Sequence, residues 1–347
     1  MIRHFTVLTH LLLATALVFA AVSAQAEPLA EIYLAHTQSQ LALDDPAAVI
    51  AAEFKQRVES GSNGAVLVHI FPDGRLGGNR EITKLVQHNV IQTSLVTAGG
   101  LAPQYPLIAV TQFPFLIESR AVGRTLYDGP FGQQLAADIE AKTGFVILGF
   151  GDPGGLQIIT NSQRPIVHPQ DMAGLKIRSV PGLSSLDTMI TSLGAKAVKV
   201  SSREELNALA SGIVDGQMLP ANVVLGRRFD EVQKFATITN HLYSPYIWIF
   251  NQEAFSGFSQ DLQVLVRDAA KGAIARGYEF TLEWETSVNG MPRLRQRMKV
   301  ADFSPDQRAE FAAISQPAVK ADLLNSLGQD GQDWLERLIA AKNGVNQ

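Results

Sequence analysis

Apolar residues follow two different periods along the chain, and segments of the two kinds alternate. Short runs rich in Val, Ile and Phe, such as AVLVHIF (65–71), are typical of strands. Between such runs the apolar residues recur every three to four positions, as Ile50, Phe54 and Val58 do, which indicates helices. Strands interleaved with helices predict an α/β fold with mostly parallel strands and helices on both faces.

The order of the elements predicts two α/β lobes. A first series ends with the strand FVILGFG (145–151), and a second series begins after Asp152. A long helical pattern without proline then covers residues 259–286. We expect the first lobe to comprise residues 27–151 and about 239–285, and the second to comprise residues 152–238 and about 286–347.

The junction between the two series contains a glycine-rich turn. GFGDPG (149–154) matches the G-x-G-x-x-G pattern of dinucleotide-binding loops. Those loops open a helix, whereas here a β-branched strand pattern follows at 156–161 and Pro153 lies inside the motif. The turn therefore predicts a hinge between lobes, because glycine tolerates changes of backbone angle.

The first 26 residues have the layout of a secretory signal peptide. MIRH carries one arginine, LLLATALVFAAV is an apolar run, and Ala24-Gln25-Ala26 is a small-residue cleavage site. Cleavage is predicted after Ala26, with a retained anchor as the less favoured alternative because the run is short for a membrane span. No later apolar run approaches the roughly eighteen residues of a membrane-spanning helix, so we expect a periplasmic protein that does not itself span the membrane.

Composition excludes several classes of function. The net charge of −4 and the lack of a basic stripe argue against a nucleic-acid partner. The chain has no cysteine, which removes thiol catalysis and thiolate metal sites. No G-x-S-x-G or H-E-x-x-H motif occurs, and the histidines outside the signal peptide lack metal-ligand spacing. We therefore predict no catalytic residues, no metal and no cofactor; those histidines are His36, His69, His88, His168 and His241.

The stretch GLKIRSV (174–180) places an arginine in a short predicted strand. Alternation puts Leu175 and Ile177 on one side and Arg178 on the other. Arg178 could lie on an exposed strand face, or it could be a fixed anion-binding group at the strand end. Alternation alone leaves both open.

Four segments, in order, resemble the DctP-like solute-binding proteins of TRAP (tripartite ATP-independent periplasmic) transporters. The segments are HIFPDGRLGGNREITKLVQHNVIQ (69–92), FPFL (113–116), DMAGLKIRSV (171–180) and LGAKAVKVSSREELNALASGIVDGQ (193–217). The resemblance implies a two-lobed periplasmic binding protein, type II-like, with a hinge cleft and a long helix that spans both lobes. It also implies a receptor, not an enzyme, that delivers an organic acid to TRAP membrane permease subunits.

In this family the arginine that matches Arg178 pairs with the carboxylate of the solute. Gln157 stands where many relatives have a second arginine, and Met218-Leu219 stands where dicarboxylate and sialic-acid binders often have Glu-Asn. These departures favour a monocarboxylate with an apolar or aromatic body. We expect Arg178 to be the only permanent positive charge at the acid group of this solute, with Gln157 as a secondary polar contact. Further wall residues expected from strand ends and the resemblance are His36, Glu81, Thr97, Phe113, Leu219, Asn222 and Tyr246.

Three alternatives to a TRAP receptor stay open at this stage. A binding protein of an ATP-driven importer would share the lobes but lack the DMAGLKIR segment. A sensory receptor would use the same cleft, so the sequence does not separate it from a transport receptor. A periplasmic hydrolase or isomerase is the least favoured alternative.

Overall fold

The computed structural model describes residues 28–38 and 45–345, so the predicted signal peptide, residues 1–26, lies outside the described residues. Two sheets are present in the described part. The strands of the first sheet are β1 (Ala30–Ala35), β2 (Val66–Phe71), β3 (Thr93–Val96), β4 (Phe145–Gly151) and β10 (Tyr246–Asn251). The strands of the second are β5 (Gln157–Asn161), β6 (Lys176–Ser179), β7 (Lys196–Lys199), β8 (Gly216–Pro220), β9 (Phe235–Ile238) and β11 (Lys299–Asp302).

Helices cover both sheets. They are α1 (Pro46–Gly61), α2 (Asn79–Gln87), α3 (Ala98–Leu101), α4 (Arg120–Asp128), α5 (Pro130–Thr143), α6 (Ser184–Ser192), α7 (Glu205–Ala210), α8 (Ala221–Gly226), α9 (Gln252–Ser256), α10 (Gln260–Thr286), α11 (Met291–Arg297) and α12 (Pro305–Val345). Three 3₁₀ turns occupy Pro106–Gln112, Pro169–Met172 and Phe229–Glu231.

Each sheet is mostly parallel, as the sequence predicts, with one antiparallel strand. The strand orders are β2-β1-β3-β10-β4 and β11-β9-β5-β8-β6-β7. β10 is antiparallel to both its neighbours, and so is β5. These are the strands by which the chain passes from one sheet to the other. The first lobe is built on the first sheet and the second lobe on the second sheet; the lobe boundaries predicted above stay a prediction.

Helix α1 shows how local sequence starts and buries an element. The side chain of Asp45 accepts a hydrogen bond from the Ala47 amide at 2.8 Å, which caps the helix one residue before its proline. The apolar residues at four-residue spacing, including Phe54, are fully buried. Phe54 meets Trp248 of β10 edge to face at 4.9 Å. Burial of this face fixes α1 against the first sheet.

The long helix α10 joins the two lobes. Its first half packs Val266 and Ala270 into the core of the first lobe, whereas Trp284 near its end lies in the core of the second. At Gly277 a Cβ atom would lie 2.5 Å from Cγ1 of Ile50, so only glycine permits this approach to α1. The structure confirms the long helix that spans both lobes.

The last helix, α12, contacts both lobes. The ring centroids of Trp334 and Phe131, on α5 of the first lobe, are 5.9 Å apart, and Asp322 accepts a hydrogen bond at 2.9 Å from the hydroxyl of Ser184, on α6 of the second lobe. Arg308 donates hydrogen bonds to main-chain carbonyls on both segments beside it, namely Phe115, Ile117, Thr239 and Asn240. In the described part of the chain, no helix combines the length and apolar character needed to cross a membrane.

Candidate functional site: a cleft between the lobes

A cavity of about 320 Å³ lies between the two lobes. From the first lobe, it is lined by residues after β1, at the start of α2 and around α3. From the second lobe, it is lined by the ends of β6 and β8 and by the segments before α6 and α7. The carboxyl ends of parallel strands and the amino ends of helices therefore meet here, as is usual for ligand clefts of α/β proteins.

Arg178 reaches this cavity from the end of β6. Its guanidinium is buried, and Nε donates a hydrogen bond to the carbonyl of Val200 at 3.0 Å. Val200 follows β7, the parallel neighbour of β6, so sheet pairing places its carbonyl beside the arginine. Burial lowers the pKa of Arg178, and Glu205 opposes that shift. The group stays a cation because arginine does not lose its proton in proteins.

A buried carboxylate lies between Arg178 and a second arginine. Oε1 of Glu205 is 3.5 Å from Nη1 of Arg178, and Oε2 is 3.6 Å from Nη1 of Arg227. Glu205 is fully buried, and neither of its oxygens has a hydrogen-bond partner among residues 28–38 and 45–345. Three charges of the second lobe, two positive and one negative, thus share one end of the cavity.

The first lobe adds one charge of each sign to the lining. Arg80 and Glu81 both lie in the first turn of α2 and both line the cavity. Among the lining residues that the structure describes, three arginines face two glutamates, so this part of the wall has a net charge of +1. Arg178 is therefore not the only arginine of the wall, because Arg80 and Arg227 line the same cavity. That Arg178 is the only permanent positive charge at the acid group of the solute stays a prediction.

The two lobes touch each other around the cavity. Nη2 of Arg227 donates to Oε1 of Gln38 at 3.0 Å, and Nε2 of Gln38 donates to the hydroxyl of Tyr246 at 2.7 Å. At Gly99 of the first lobe, a Cβ atom would lie 2.5 Å from Cγ1 of Val180 of the second. The cleft is therefore closed in this structure.

The structure places most of the predicted site residues on the cavity wall, but not all. Arg178, Gln157, Glu81, Thr97, Leu219 and Tyr246 line the cavity. His36, Phe113 and Asn222 do not. His36 is buried after β1 and Phe113 packs in the hydrophobic core. Strand-end position alone does not say which way a side chain points.

Asn222 belongs to the hinge rather than to the lining. Its amide lies where a Cβ atom of Gly154 would be, within 2.1–2.5 Å, and Gly154 has φ +97°. Oδ1 of Asp152 accepts from the amides of Gly154 and Gly155 at 2.7 and 3.1 Å. The glycine-rich segment is thus a tight turn between β4 and β5 that hydrogen bonds to Asp152 hold in place, and no helix starts there as a dinucleotide-binding loop requires.

Three charged wall residues were not predicted from the sequence: Arg80, Glu205 and Arg227. Arg227 and Arg228 are neighbours in GRRF, yet Arg228 is 72% exposed and only Arg227 enters the cleft. Glu204 and Glu205 show the same contrast, because Glu204 is exposed and bonded to Ser201. Arg80 and Glu205 both fall inside segments that carry the family resemblance, so motif position was a signal for them, whereas Arg227 falls in none of these segments.

Two buried histidines lie near the cleft and the hinge. Burial lowers the pKa of His36 to about 4, and burial together with the nearby Arg308 cation lowers that of His241 to about 3. Nδ1 of His241 lies 2.7 Å from the hydroxyl of Thr239, and Nε2 has no partner among the described residues. Among residues 28–38 and 45–345, no group of acidic or histidine residues is arranged so that it could hold a metal ion.

These histidines are expected to make the folded protein less stable in acid. Below about pH 6.5 the unfolded chain takes up a proton at each of these two histidines, whereas the folded protein does not. The free energy of unfolding therefore decreases as the pH is lowered. Between about pH 6.5 and 4.5 the loss is roughly 2 to 3 kcal/mol for each histidine. Melting temperatures at both ends of this range would show a smaller loss for His241→Asn than for the wild type.

The raised pKa values of Asp152 and Glu285, both caused mainly by burial, act in the opposite direction. Both carboxyl groups are present in the wild type and in His241→Asn, so the difference between the two losses of melting temperature reports the contribution of His241. Equal losses for the variant and the wild type would contradict the prediction.

Comparison with known proteins settles the family. Residues 37–324 match the family model of the bacterial extracellular solute-binding proteins, family 7 (DctP). The chain belongs to this family. Its members are transport receptors rather than enzymes, as the motifs predicted.

Named relatives support the assignment. A solute-binding protein of Verminephrobacter eiseniae is 31% identical over 221 residues, which are 63% of this chain and 65% of that protein, just under two thirds of its length. The C4-dicarboxylate-binding periplasmic protein DctP of Rhodobacter capsulatus is 31% identical over 271 residues, 77% of each chain.

A solved structure shows the same fold. The sugar acid binding protein DctPAm of Advenella mimigardefordensis, in complex with galactonate, aligns with a TM-score of 0.83 and 26% identity, over 92% of this chain and 99% of that one. The predicted two-lobed α/β fold is confirmed.

Proposed function

We propose that this DctP-family protein is the periplasmic receptor of a TRAP transporter and that it captures an organic acid with a single carboxylate. In this proposal Arg178 pairs with the carboxylate, the closed cleft holds the solute, and the membrane permease subunits receive it. The observation that carries the proposal is the buried Arg178 guanidinium at the wall of a cavity whose lining has a net charge of +1.

Charge is the reason for a monocarboxylate. Glu205 is shared by Arg178 and Arg227, so this group carries one positive charge without an anion, and a planar carboxylate matches the parallel donors of a guanidinium. Nε of Arg178 is committed to Val200, which leaves the Nη atoms for Glu205 and a solute. One added negative charge brings the sum of the lining to zero, whereas a dicarboxylate would make it negative. Gln157, with no charge, lines the same wall.

The second-lobe wall also favours a partly apolar solute. Next to the charged groups lie the side chains of Val180, Leu183, Leu186, Met218 and Leu219. Apolar walls with a few fixed polar groups are usual for small-molecule sites, in which polar groups set orientation and apolar contact adds affinity. The hydrocarbon part of the acid is expected to lie against these residues.

A thermal-shift screen tests the proposal, because a solute that binds only the folded protein raises the melting temperature. Phenylacetate, isovalerate and galactonate would represent monocarboxylates, and succinate the dicarboxylates. At about 100 times the Kd the stabilisation is about 2.7 kcal/mol, a shift of several degrees. The largest shift should come from a monocarboxylate with an apolar body. A larger shift with succinate would contradict the monocarboxylate assignment, and no shift with a broad set of organic acids would contradict the receptor function.

Closure of the cleft should be sensitive to Gly99. Gly99→Val places two methyl groups where Val180 of the opposite lobe now lies, so the lobes cannot close fully. We expect the acid that stabilises the wild type most to bind at least about tenfold more weakly. Steric overlap of this kind typically costs about 1 to 3 kcal/mol, and 1.4 kcal/mol corresponds to a factor of ten in affinity. Calorimetric titration measures the effect. Gly257→Val is the matched control, because its nearest neighbours lie at an ordinary 3.5 Å. Unchanged affinity in Gly99→Val would show that closure is not needed.

A further inference from the structure

Arg227 is placed differently from Arg178 and Glu205, the other charged groups of the second-lobe wall. It follows helix α8 of the second lobe, and its side chain is about one-fifth exposed. Nη1 donates to the carbonyl of Ser202 at 3.2 Å and lies beside Glu205, both in its own lobe. Nη2 points the other way, toward the first lobe.

The contacts of Nη2 cross the cleft. It donates to the carbonyl of Thr37 at 3.3 Å and to Oε1 of Gln38 at 3.0 Å, both just after β1. Gln38 is buried and is itself held by the hydroxyl of Tyr246 on β10. One side chain of the second lobe is thereby tied to two elements of the first, and these bonds exist only while the lobes are together.

We propose that Arg227 is a latch that holds the two lobes closed, with Gln38 as its receiving group. The inference deepens the proposed function and rests on it, since closure over a solute is what the receptor would need. Glu205 orients the guanidinium of Arg227, because its carboxylate lies beside Nη1 and leaves Nη2 directed at the first lobe. Hydrogen bonds from a charged donor are stronger than neutral ones, so losing two of them shifts the balance toward the open form.

The positive charge of the latch also links closure to the anion. Arg178 and Arg227 repel each other across Glu205, and this repulsion contributes to lowering the pKa of Arg178. A carboxylate bound at Arg178 offsets the excess positive charge, which favours Arg227 at its place in the closed cleft. Arg227 is in this sense a positioning residue, whose role is separate from the carboxylate pairing assigned to Arg178.

The absence of cysteine from the chain allows a direct test of closure. Gly99→Cys and Val180→Cys lie in opposite lobes at contact distance, so a disulfide between them forms only when the cleft closes. The rate of cross-linking by a mild oxidant, followed by gel mobility without added solute, measures the closed population. This readout does not depend on which acid the protein binds.

In the double-cysteine protein we expect Arg227→Gln to slow cross-linking at least fivefold. Arg228→Gln, at the exposed neighbouring position, should leave the rate unchanged. Gln38→Leu should slow the reaction to a similar extent while leaving the arginine in place, and combining it with Arg227→Gln should add little further. This second variant also serves if Arg227→Gln fails to fold.

The proposal that Arg227 is a latch would be contradicted if Arg227→Gln and Gln38→Leu cross-linked at the same rate as the Arg228→Gln control. The same result would leave the proposed function standing, because that function is tested by the solute screen. Conversely, a screen without any binding acid would contradict the receptor function even if both variants slowed cross-linking.

Discussion

Replacement of Arg178 by glutamine is expected to lower the affinity for the acid that stabilises the wild type most by at least about 30-fold. The guanidinium is buried at the cavity wall, and the removal of one partner of a buried, hydrogen-bonded charge pair costs about 2 to 5 kcal/mol. Isothermal titration with that acid measures the change. An affinity within about tenfold of the wild type would contradict the anchor role, since 1.4 kcal/mol corresponds to a factor of ten.

The single variant is also expected to be less stable, because Glu205 stays buried with only Arg227 beside it. The double variant Arg178→Gln/Glu205→Gln removes both charges and should regain most of the melting temperature without regaining affinity. This pair separates loss of the solute contact from damage to the fold. Recovery of binding in the double variant would show that Arg178 acts only by neutralising Glu205.

Glu205→Gln is expected to change which acids bind. The substitution keeps the shape of the side chain but raises the net charge of the second-lobe wall from one positive charge to two. A dianion then becomes the better electrostatic match, so the ratio of succinate affinity to isovalerate affinity should rise about tenfold or more. Titrations with both acids at fixed ionic strength provide the measurement, because salt screens part of the effect.

Glu204→Gln is the matched control for this prediction. Glu204 is the preceding residue, is exposed and bonds to Ser201, so its loss changes total charge equally but leaves the wall unchanged. The same shift in both variants would mean that overall charge, not the buried carboxylate, sets the preference. No shift in Glu205→Gln would contradict the charge argument for a monocarboxylate.

The fold could be predicted largely from local sequence. Apolar periodicity is a property of single segments, so β4 and the long helix α10 appear near their predicted bounds, and α1 contains the apolar residues that indicated a helix. The antiparallel direction of β5 and β10 was not foreseen, because strand direction depends on how the chain passes between lobes.

The sequence by itself determined the α/β class, the two series of elements and the family, because periodicity and ordered motifs are written in neighbouring residues. It also singled out Arg178, whose position in DMAGLKIRSV carries the resemblance. Only the tertiary structure decided the charge of the site. Arg227 rather than Arg228 enters the cleft, and Glu205 rather than Glu204 is buried between two arginines. Adjacent like residues have the same local pattern; which one faces the cavity depends on helix orientation and on the approach of the other lobe.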